Sequence, residues 1–196
     1  LGKPSGFPSF IKFKKVTKSR QDAAGFVVEP PADLARRAGT DITTYTLARF
    51  LGSEYRKGSF AGQVAIAWTM VNRLRARQKA QPSNDWTMLK LATYTTKYGN
   101  KGLYGSQENG RVASTARDPT DGNLYVATQV LAGAVSDPTG GAVEFIDPTD
   151  LDELAVTKPK SYSMNTKQFI ADRAKRGKEV LAVAGAKDLL FFRPVA

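Results

Sequence analysis

One acidic residue lies where the hydrophobic pattern predicts a buried helix. Asp41 is suited to cap the start of this helix. Leu47, Phe50 and Leu51 follow at helical spacing. Glu54 comes four residues after Phe50 and three after Leu51, so a helix that continues this far carries its carboxyl group on the apolar stripe. We therefore expect Glu54 to face the core or a cleft.

The surroundings predicted for Glu54 favour its protonated form. Apolar neighbours disfavour a carboxylate, and we expect the helix to end at Lys57 and Gly58, where the macrodipole repels an anion. A carboxylic acid that keeps its proton near neutral pH in a partly apolar cleft is what a glycosidase uses to protonate a departing glycosidic oxygen. The alternative is a frayed helix end, with Glu54 in solvent or paired with Arg56 or Lys57.

Three segments resemble one enzyme family, in the same order along the chain. Residues 47–73, LARFLGSEYRKGSFAGQVAIAWTMVNR, resemble the opening of the catalytic domain of SleB-type cell-wall hydrolases. That opening has a Leu-Ala-Arg helix, a Gly-Glu-Ala-Arg segment, Gly-Gln-Val-Ala and Asn-Arg. Residues 137–142, DPTGGA, with Phe145 resemble the second signature, and residues 184–185 with 191–192 resemble the closing segment. The resemblance thus runs from about Leu47 to the C-terminus.

This resemblance implies a lysozyme-like enzyme that degrades peptidoglycan. Glu54 falls on the position of the family's catalytic acid. The Pro-Thr-Gly-Gly turn lines the cleft in the family, which implies substrate contacts from Thr139, Gly140, Gly141 and Phe145. The glycines would let backbone N–H groups approach a substrate, although a tight turn requires them equally.

The chain departs from the family pattern at three points. Ser53 replaces the usual Gly, Tyr55 replaces the usual Ala, and the His that is common in the closing segment is absent. These differences bear on the detailed specificity more than on the class of reaction.

A Gly- and Asn-rich stretch, residues 98–110, supplies further candidate contacts. Its glycines and asparagines predict loops or a small hairpin that exposes amides and aromatic faces, the groups that bind sugars. Residues 102–107 are loosely similar to the Gly-Leu-Met-Gln segment that lies beside the catalytic acid in lytic transglycosylases. We therefore predict that Tyr104, Ser106 and Gln107 bind the glycan, with a plain surface loop as the alternative.

Two mechanisms remain open for a glycan-cleaving enzyme with Glu54 as its acid. A hydrolase needs a second carboxylate roughly 5 to 9.5 Å from the first. Its candidates are Glu108, Asp118, Asp121 and Asp137, none of which is marked by its spacing. A lytic transglycosylase needs one acid only, because the C6 hydroxyl of the substrate attacks the anomeric carbon. The lack of a clear partner and the resemblance favour the transglycosylase.

Composition excludes several other classes of enzyme. The chain has 196 residues, of which 41% are hydrophobic, and this is enough to form a hydrophobic core. It contains neither Cys nor His, which removes Ser-His and Cys-His dyads and nearly every zinc-site pattern. We expect no metal and no cofactor. We also expect no membrane span, because no apolar run is long enough.

The first 40 residues form a predicted arm, and residues 41–196 form the predicted lysozyme-like domain. Residues 1–37 hold eight Lys and Arg against three Asp and Glu, with four prolines that disfavour long regular structure. A partner subunit or nucleic acid could bind this arm, and a solvated tail is the alternative. For the domain we predict a mainly α (α+β) fold, with a small β-hairpin or loop region.

The sequence also predicts further elements of this domain. Ser59 is a possible cap for a second helix through Leu74, which we expect to be buried on most sides. The polar end of this helix, with Arg73, Arg75, Arg77 and Lys79, should be exposed. We also predict a short helix from Asp85 to Thr93, an acidic turn over residues 147–154 and a helix capped by Asn165 or Thr166.

The net charge of +11 supports a second hypothesis for the whole chain. A non-catalytic structural or binding module of a virion or cell envelope could use its basic arm to bind a polyanion or a partner subunit. The two hypotheses are compatible in a bacteriolytic phage virion protein. We expect the protein in the cell envelope, the periplasm or a phage virion. Because the chain begins with Leu, we expect a fragment or a processed product.

Overall fold

The computed structural model describes residues 33, 35–36, 38–55, 58–93, 119–159 and 163–195. These residues form a mainly helical fold with a small antiparallel sheet, which confirms the predicted fold class. A short 3-10 helix, Pro82–Asn84, follows the second α-helix. The other elements, in chain order, are α1 Ile42–Glu54, α2 Phe60–Ala80, α3 Met88–Thr93, α4 Asp121–Leu131, β1 Glu144–Ile146, α5 Pro148–Thr157, α6 Thr166–Lys175, β2 Lys178–Leu181 and β3 Leu190–Pro194.

Helix α1 is buried around its whole circumference. Asp41 caps it as predicted, because its side chain accepts hydrogen bonds from the backbone N–H groups of Thr43 and Thr44 at 2.8 and 3.0 Å. All residues from 44 to 52 are buried. The predicted apolar stripe of Leu47, Phe50 and Leu51 is buried as expected, and other elements also enclose the remaining sides of the helix. The helix also ends at Glu54, before the predicted end at Lys57 and Gly58.

Helix α2 is the long central helix that the sequence predicts. Ser59 caps it, and the Ser59 hydroxyl accepts a hydrogen bond from Gly62 N at 3.1 Å. Residues 62–71 are all buried, whereas the C-terminal end with Arg75 and Lys79 is exposed. The predicted burial on most sides is confirmed, and Arg75 and Lys79 are exposed as predicted, whereas Arg73 and Arg77 are half-buried.

The three-stranded sheet has the order β1-β3-β2, so the C-terminal strand lies in the middle. Neighbouring residues of a strand point to opposite faces. Phe191 faces the main core, whereas Phe192 packs against Phe169 of α6 with ring centroids 5.4 Å apart. Both phenylalanines are fully buried, so β3 joins the helical core on one face to α6 on the other.

Two elements differ from the sequence prediction. Residues 147–154, expected as an acidic turn, belong to helix α5. Asp147 caps this helix by accepting hydrogen bonds from Thr149 N and Asp150 N, and Pro148 fits its first position. The helix expected from Asp85 begins only at Met88.

No helix in the described ranges is long and apolar enough to cross a membrane. The predicted boundary at residue 40 stays a prediction, because the first 32 residues of the predicted arm lie outside the described residues.

An ion-pair cluster ties β1 to α6 and β2. Glu144 accepts from Arg173 Nε at 2.7 Å and lies 2.9 Å from Lys178 Nζ, with 19% of its side chain exposed. Burial alone would raise the pKa of Glu144. The hydrogen bonds and charges of Lys178 and Arg173 outweigh burial and hold the pKa below its ordinary value of 4.5.

This cluster predicts how stability depends on pH. A carboxyl group whose pKa is lowered by folding stabilises the fold above its unfolded pKa and loses that effect as the pH falls through the folded value. The free energy of unfolding should therefore fall as the pH drops below about 4.5. Glu144→Gln should lower the free energy of unfolding by roughly 1–3 kcal/mol at pH 7. It should also make that free energy depend less on pH in the acid range. Urea unfolding between pH 3 and pH 7 measures both effects.

Glu153 is exposed and provides a matched control, since Glu153→Gln should leave stability nearly unchanged. If Glu144→Gln followed the same pH dependence as the native chain, the role of this cluster in acid stability would be refuted.

Candidate active site

Glu54 lies where α1 leaves the core. Gly52 is still buried, whereas Ser53, Glu54 and Tyr55 are half-buried. One helical turn before Glu54, the ring of Phe50 contacts Phe145 of β1, with centroids 6.5 Å apart. This ring contact joins α1 to β1 one turn before Glu54. A half-buried position is compatible with the predicted cleft, and the protonation of Glu54 stays a prediction.

Tyr55 follows Glu54 directly and packs over two glycines of the next turn. An added Cβ would lie 1.6 Å from the Tyr55 ring at Gly58 and 2.5 Å from it at Gly62. Both positions therefore require glycine while the ring occupies this place. The Tyr55 hydroxyl donates to Asp188, with its oxygen 2.6 and 2.5 Å from the two carboxylate oxygens. Burial, followed by the hydrogen bond and charge of Asp188, raises the pKa of Tyr55.

The closing segment, residues 184–185 with 191–192, contacts the start of α2 through Gly185. The Ser59 hydroxyl donates to Gly185 O at 2.5 Å. Gly185 has a φ of +82°, and a Cβ there would lie 2.8 Å from the Cβ of Ala61. Glycine thus satisfies both the backbone conformation and the close approach. This contact brings the first and third of the family-like segments together.

Gln63 connects the turn after Glu54 to the start of α4. Its amide nitrogen lies 3.4 Å from Tyr55 O and 3.4 Å from Gly58 O. Its amide oxygen accepts from Asn123 Nδ2 at 3.2 Å. Asn123 is completely buried and forms a capping box with Thr120. A buried chain of amides therefore runs from the Glu54 turn to the N-terminus of α4.

The turn of residues 137–142 is organised by the Asp137 carboxylate. It accepts from Thr139 N at 2.8 Å and Thr139 Oγ1 at 2.7 Å through one oxygen. Its other oxygen accepts from Asn72 Nδ2 at 2.8 Å and Gly141 N at 3.0 Å. Burial would raise the pKa of Asp137, but these hydrogen bonds outweigh it and lower the pKa. Asp137 is therefore an ionised structural residue.

The predicted contacts in this turn have different surroundings. Thr139 is 1% exposed, and its hydroxyl is used inside the turn, where it also accepts from Ala142 N at 3.2 Å. Gly140 is exposed and Gly141 is half-buried, with φ values of +55° and +94°. Phe145 is half-buried between Phe50 and Phe191. A glycan contact from this turn would come from Gly140 or Gly141.

Other predicted site residues lie outside the described residues. These are the loop residues Tyr104, Ser106 and Gln107, together with Glu108 and Asp118. They stay predictions. Asp121 is the exposed first residue of α4, two positions before the Asn123 that joins the Gln63 network. Two of the four candidates for a second carboxylate, Asp121 and Asp137, are among the described residues. Both carboxylate oxygens of Asp137 accept hydrogen bonds within its turn, so Asp121 is the described candidate for the catalytic role.

Sequence reasoning missed the long-range partners in this region. Tyr55 was noted only as a departure from the family pattern, and Asp188 carried no signal. Gln63 and Asn72 stand in motifs that resemble the family, but nothing local indicates which groups they bind. The described residues contain no cluster of three or more acidic side chains suited to a metal ion.

The chain was compared with known proteins. It matches no family model, no curated protein sequence and no solved structure. The resemblance to SleB-type hydrolases therefore stays a prediction, which rests on the residues of three short segments.

The role of Asp137 can be measured through stability. Asp137→Asn exchanges an acceptor for a donor in a site where four donors converge, so the free energy of unfolding should fall by about 1.5–3 kcal/mol. Asp150 is exposed in the first turn of α5, and Asp150→Asn should cost at most about 0.5 kcal/mol. Urea unfolding at pH 7 gives both values. Equal losses in the two variants would refute the structural role of Asp137.

Proposed function

We propose that this protein cleaves the β-1,4 bond between N-acetylmuramic acid and N-acetylglucosamine in peptidoglycan. Glu54 acts first as the general acid and then as the base. One observation carries the proposal: the three family-like segments, far apart in the sequence, are in contact in the fold, and the first of them carries Glu54.

Helix α2 provides these contacts. Ser59 at its start binds Gly185 of the closing segment. Asn72, further along the same helix, binds Asp137 and Ala142 O of the second segment. Glu54 itself is half-buried at the end of α1, and β1 lies close to the preceding turn. A carboxyl group at the edge of an apolar core is suited to donating a proton near neutral pH.

The proposed reaction is a lytic transglycosylation. The Glu54 carboxyl group gives its proton to the glycosidic oxygen as the bond to the anomeric carbon breaks. The C6 hydroxyl of the muramic acid then attacks that carbon, and its proton passes to the Glu54 carboxylate. The products are a 1,6-anhydromuramic end and a free hydroxyl on the departing sugar. No water is consumed, and Glu54 ends protonated as it began.

A single-acid mechanism is supported by the engagement of Asp137, whose two carboxylate oxygens each accept two hydrogen bonds within the fold. A hydrolase would need another carboxylate. Asp121 is the described candidate for that role. The proposed substrate is thus a peptidoglycan glycan strand, and the proposed location is the cell envelope or a phage virion.

Digestion of purified peptidoglycan tests the proposal. The native chain should release anhydromuropeptides, which mass spectrometry identifies. Glu54→Gln should lower the rate by at least about 100-fold, because it removes the proton donor. Glu153→Gln removes one negative charge from an exposed site and should leave the rate unchanged.

The products distinguish the alternatives. Reducing-end muropeptides would refute transglycosylation and indicate a muramidase, in which case one of Glu108→Gln, Asp118→Asn and Asp121→Asn should also abolish cleavage. No soluble product from the folded native chain would refute the enzyme and favour the non-catalytic binding module.

A further inference from the structure

We propose that Tyr55 and Asp188 form a positioning pair that holds the last turn of α1, and with it Glu54, against the closing segment. This inference rests on the proposed function. It concerns two residues 133 positions apart in the sequence, joined by hydrogen bonds from the tyrosine hydroxyl. The resemblance does not supply the pair, since the family usually has Ala where this chain has Tyr55.

The first step is the covalent link between Glu54 and Tyr55. Glu54 is the last residue of α1, and Tyr55 is its C-cap, whose N–H donates to Leu51 O at 2.9 Å. This bond closes the final turn of the helix. Helix ends tend to fray because their last groups lack partners within the helix. Any restraint on Tyr55 therefore also restrains the backbone that carries the Glu54 carboxyl group.

The second step is that Tyr55 is held at both ends of its side chain. The ring lies over Gly58 and Gly62, where even an added methyl group would collide with it. The hydroxyl at the far end binds Asp188. Gly58 N also donates to Tyr55 O at 3.1 Å, which closes the turn beneath the ring. Rotation of Tyr55 would break the hydrogen bonds and uncover both glycines.

The third step is that Asp188 is a fixed anchor. Its neighbours Ala186 and Leu189 are buried, and Leu189 N donates to Ala186 O at 3.1 Å to close the turn that contains Asp188. The Ser59 hydroxyl holds Gly185, three residues earlier, against α2. Asp188 thus gives the tyrosine a fixed point on the core.

The pair should affect catalysis more than stability. Asp188 and its hydrogen bond to Tyr55 are exposed, and exposed polar contacts contribute little to the free energy of unfolding. Proton donation by Glu54, in contrast, depends on its orientation toward the glycosidic oxygen. Loss of the pair should therefore lower kcat and leave KM and the folded fraction nearly unchanged.

The test measures kcat and KM on soluble glycan strands for four variants of the whole chain. Tyr55→Phe keeps the ring and loses the hydroxyl, whereas Asp188→Ala loses the acceptor. Each should lower kcat about 10- to 100-fold with KM nearly constant. The double variant should be no slower than either single variant, because both remove the same interaction. Asp188→Asn retains an acceptor oxygen and should recover most of the rate.

Asp150→Ala is the control for loss of an exposed aspartate, and thermal unfolding shows that each variant is folded at the assay temperature. A native kcat in folded Tyr55→Phe would overturn the pair and leave the proposed function intact. Strictly multiplicative losses in the double variant would also overturn it. An inactive native chain would overturn the proposed function and this inference together.

Discussion

Carbonyl groups in four turns and loops need hydrogen-bond donors, and side chains of α2 and its cap supply them. A buried carbonyl without a partner costs free energy comparable to that of a lost hydrogen bond. The acceptors lie in the turn after Glu54, in the segment after α4, in the 137–143 turn and in the closing segment. The donors are Ser59, Gln63, Trp68, Asn72 and Arg73. The conformation of each turn therefore depends on the placement of one helix.

Some acidic residues stabilise the fold, whereas Glu54 carries the proposed chemistry. Asp137 and Glu144 are partly buried acids whose pKa values are lowered by the donors around them. A carboxylate stabilised in this way is a poor proton donor, and it holds a turn or a sheet in place instead. Glu54 is half-buried at the end of α1, and its role as a proton donor stays a proposal.

Local signals in the sequence predicted much of the fold. The caps at Asp41, Ser59 and Asn165 were recognisable because a capping side chain binds N–H groups two or three residues away. The same signal was present at Asp147 with Pro148, but the acidic composition favoured a turn and helix α5 was missed. The choice of Glu54 as the catalytic acid rests on the family-like segments and stays a prediction.

The rest could not be predicted, because it depends on pairs that are distant in the chain. Asn72 meets Asp137 across 65 positions, and no periodicity specifies which acid an amide will bind. Complete burial of α1 likewise depends on the elements packed around it, and its own spacing indicated only one apolar face.

The ring of Tyr55 couples the residue types that positions 55, 58 and 62 can hold. Gly58 and Gly62 cannot accept any larger side chain while the ring covers them, yet the positive φ values that usually impose glycine are absent at both. A homologue with a small residue at position 55 would be free of this restriction. The order of substitutions therefore matters. A small residue must replace Tyr55 before Gly58 or Gly62 can be replaced by a larger residue. A chain with a larger residue at position 58 or 62 has no room for the ring of Tyr55. Tyr55, the residue after Glu54, thus limits which residues positions 58 and 62 can hold.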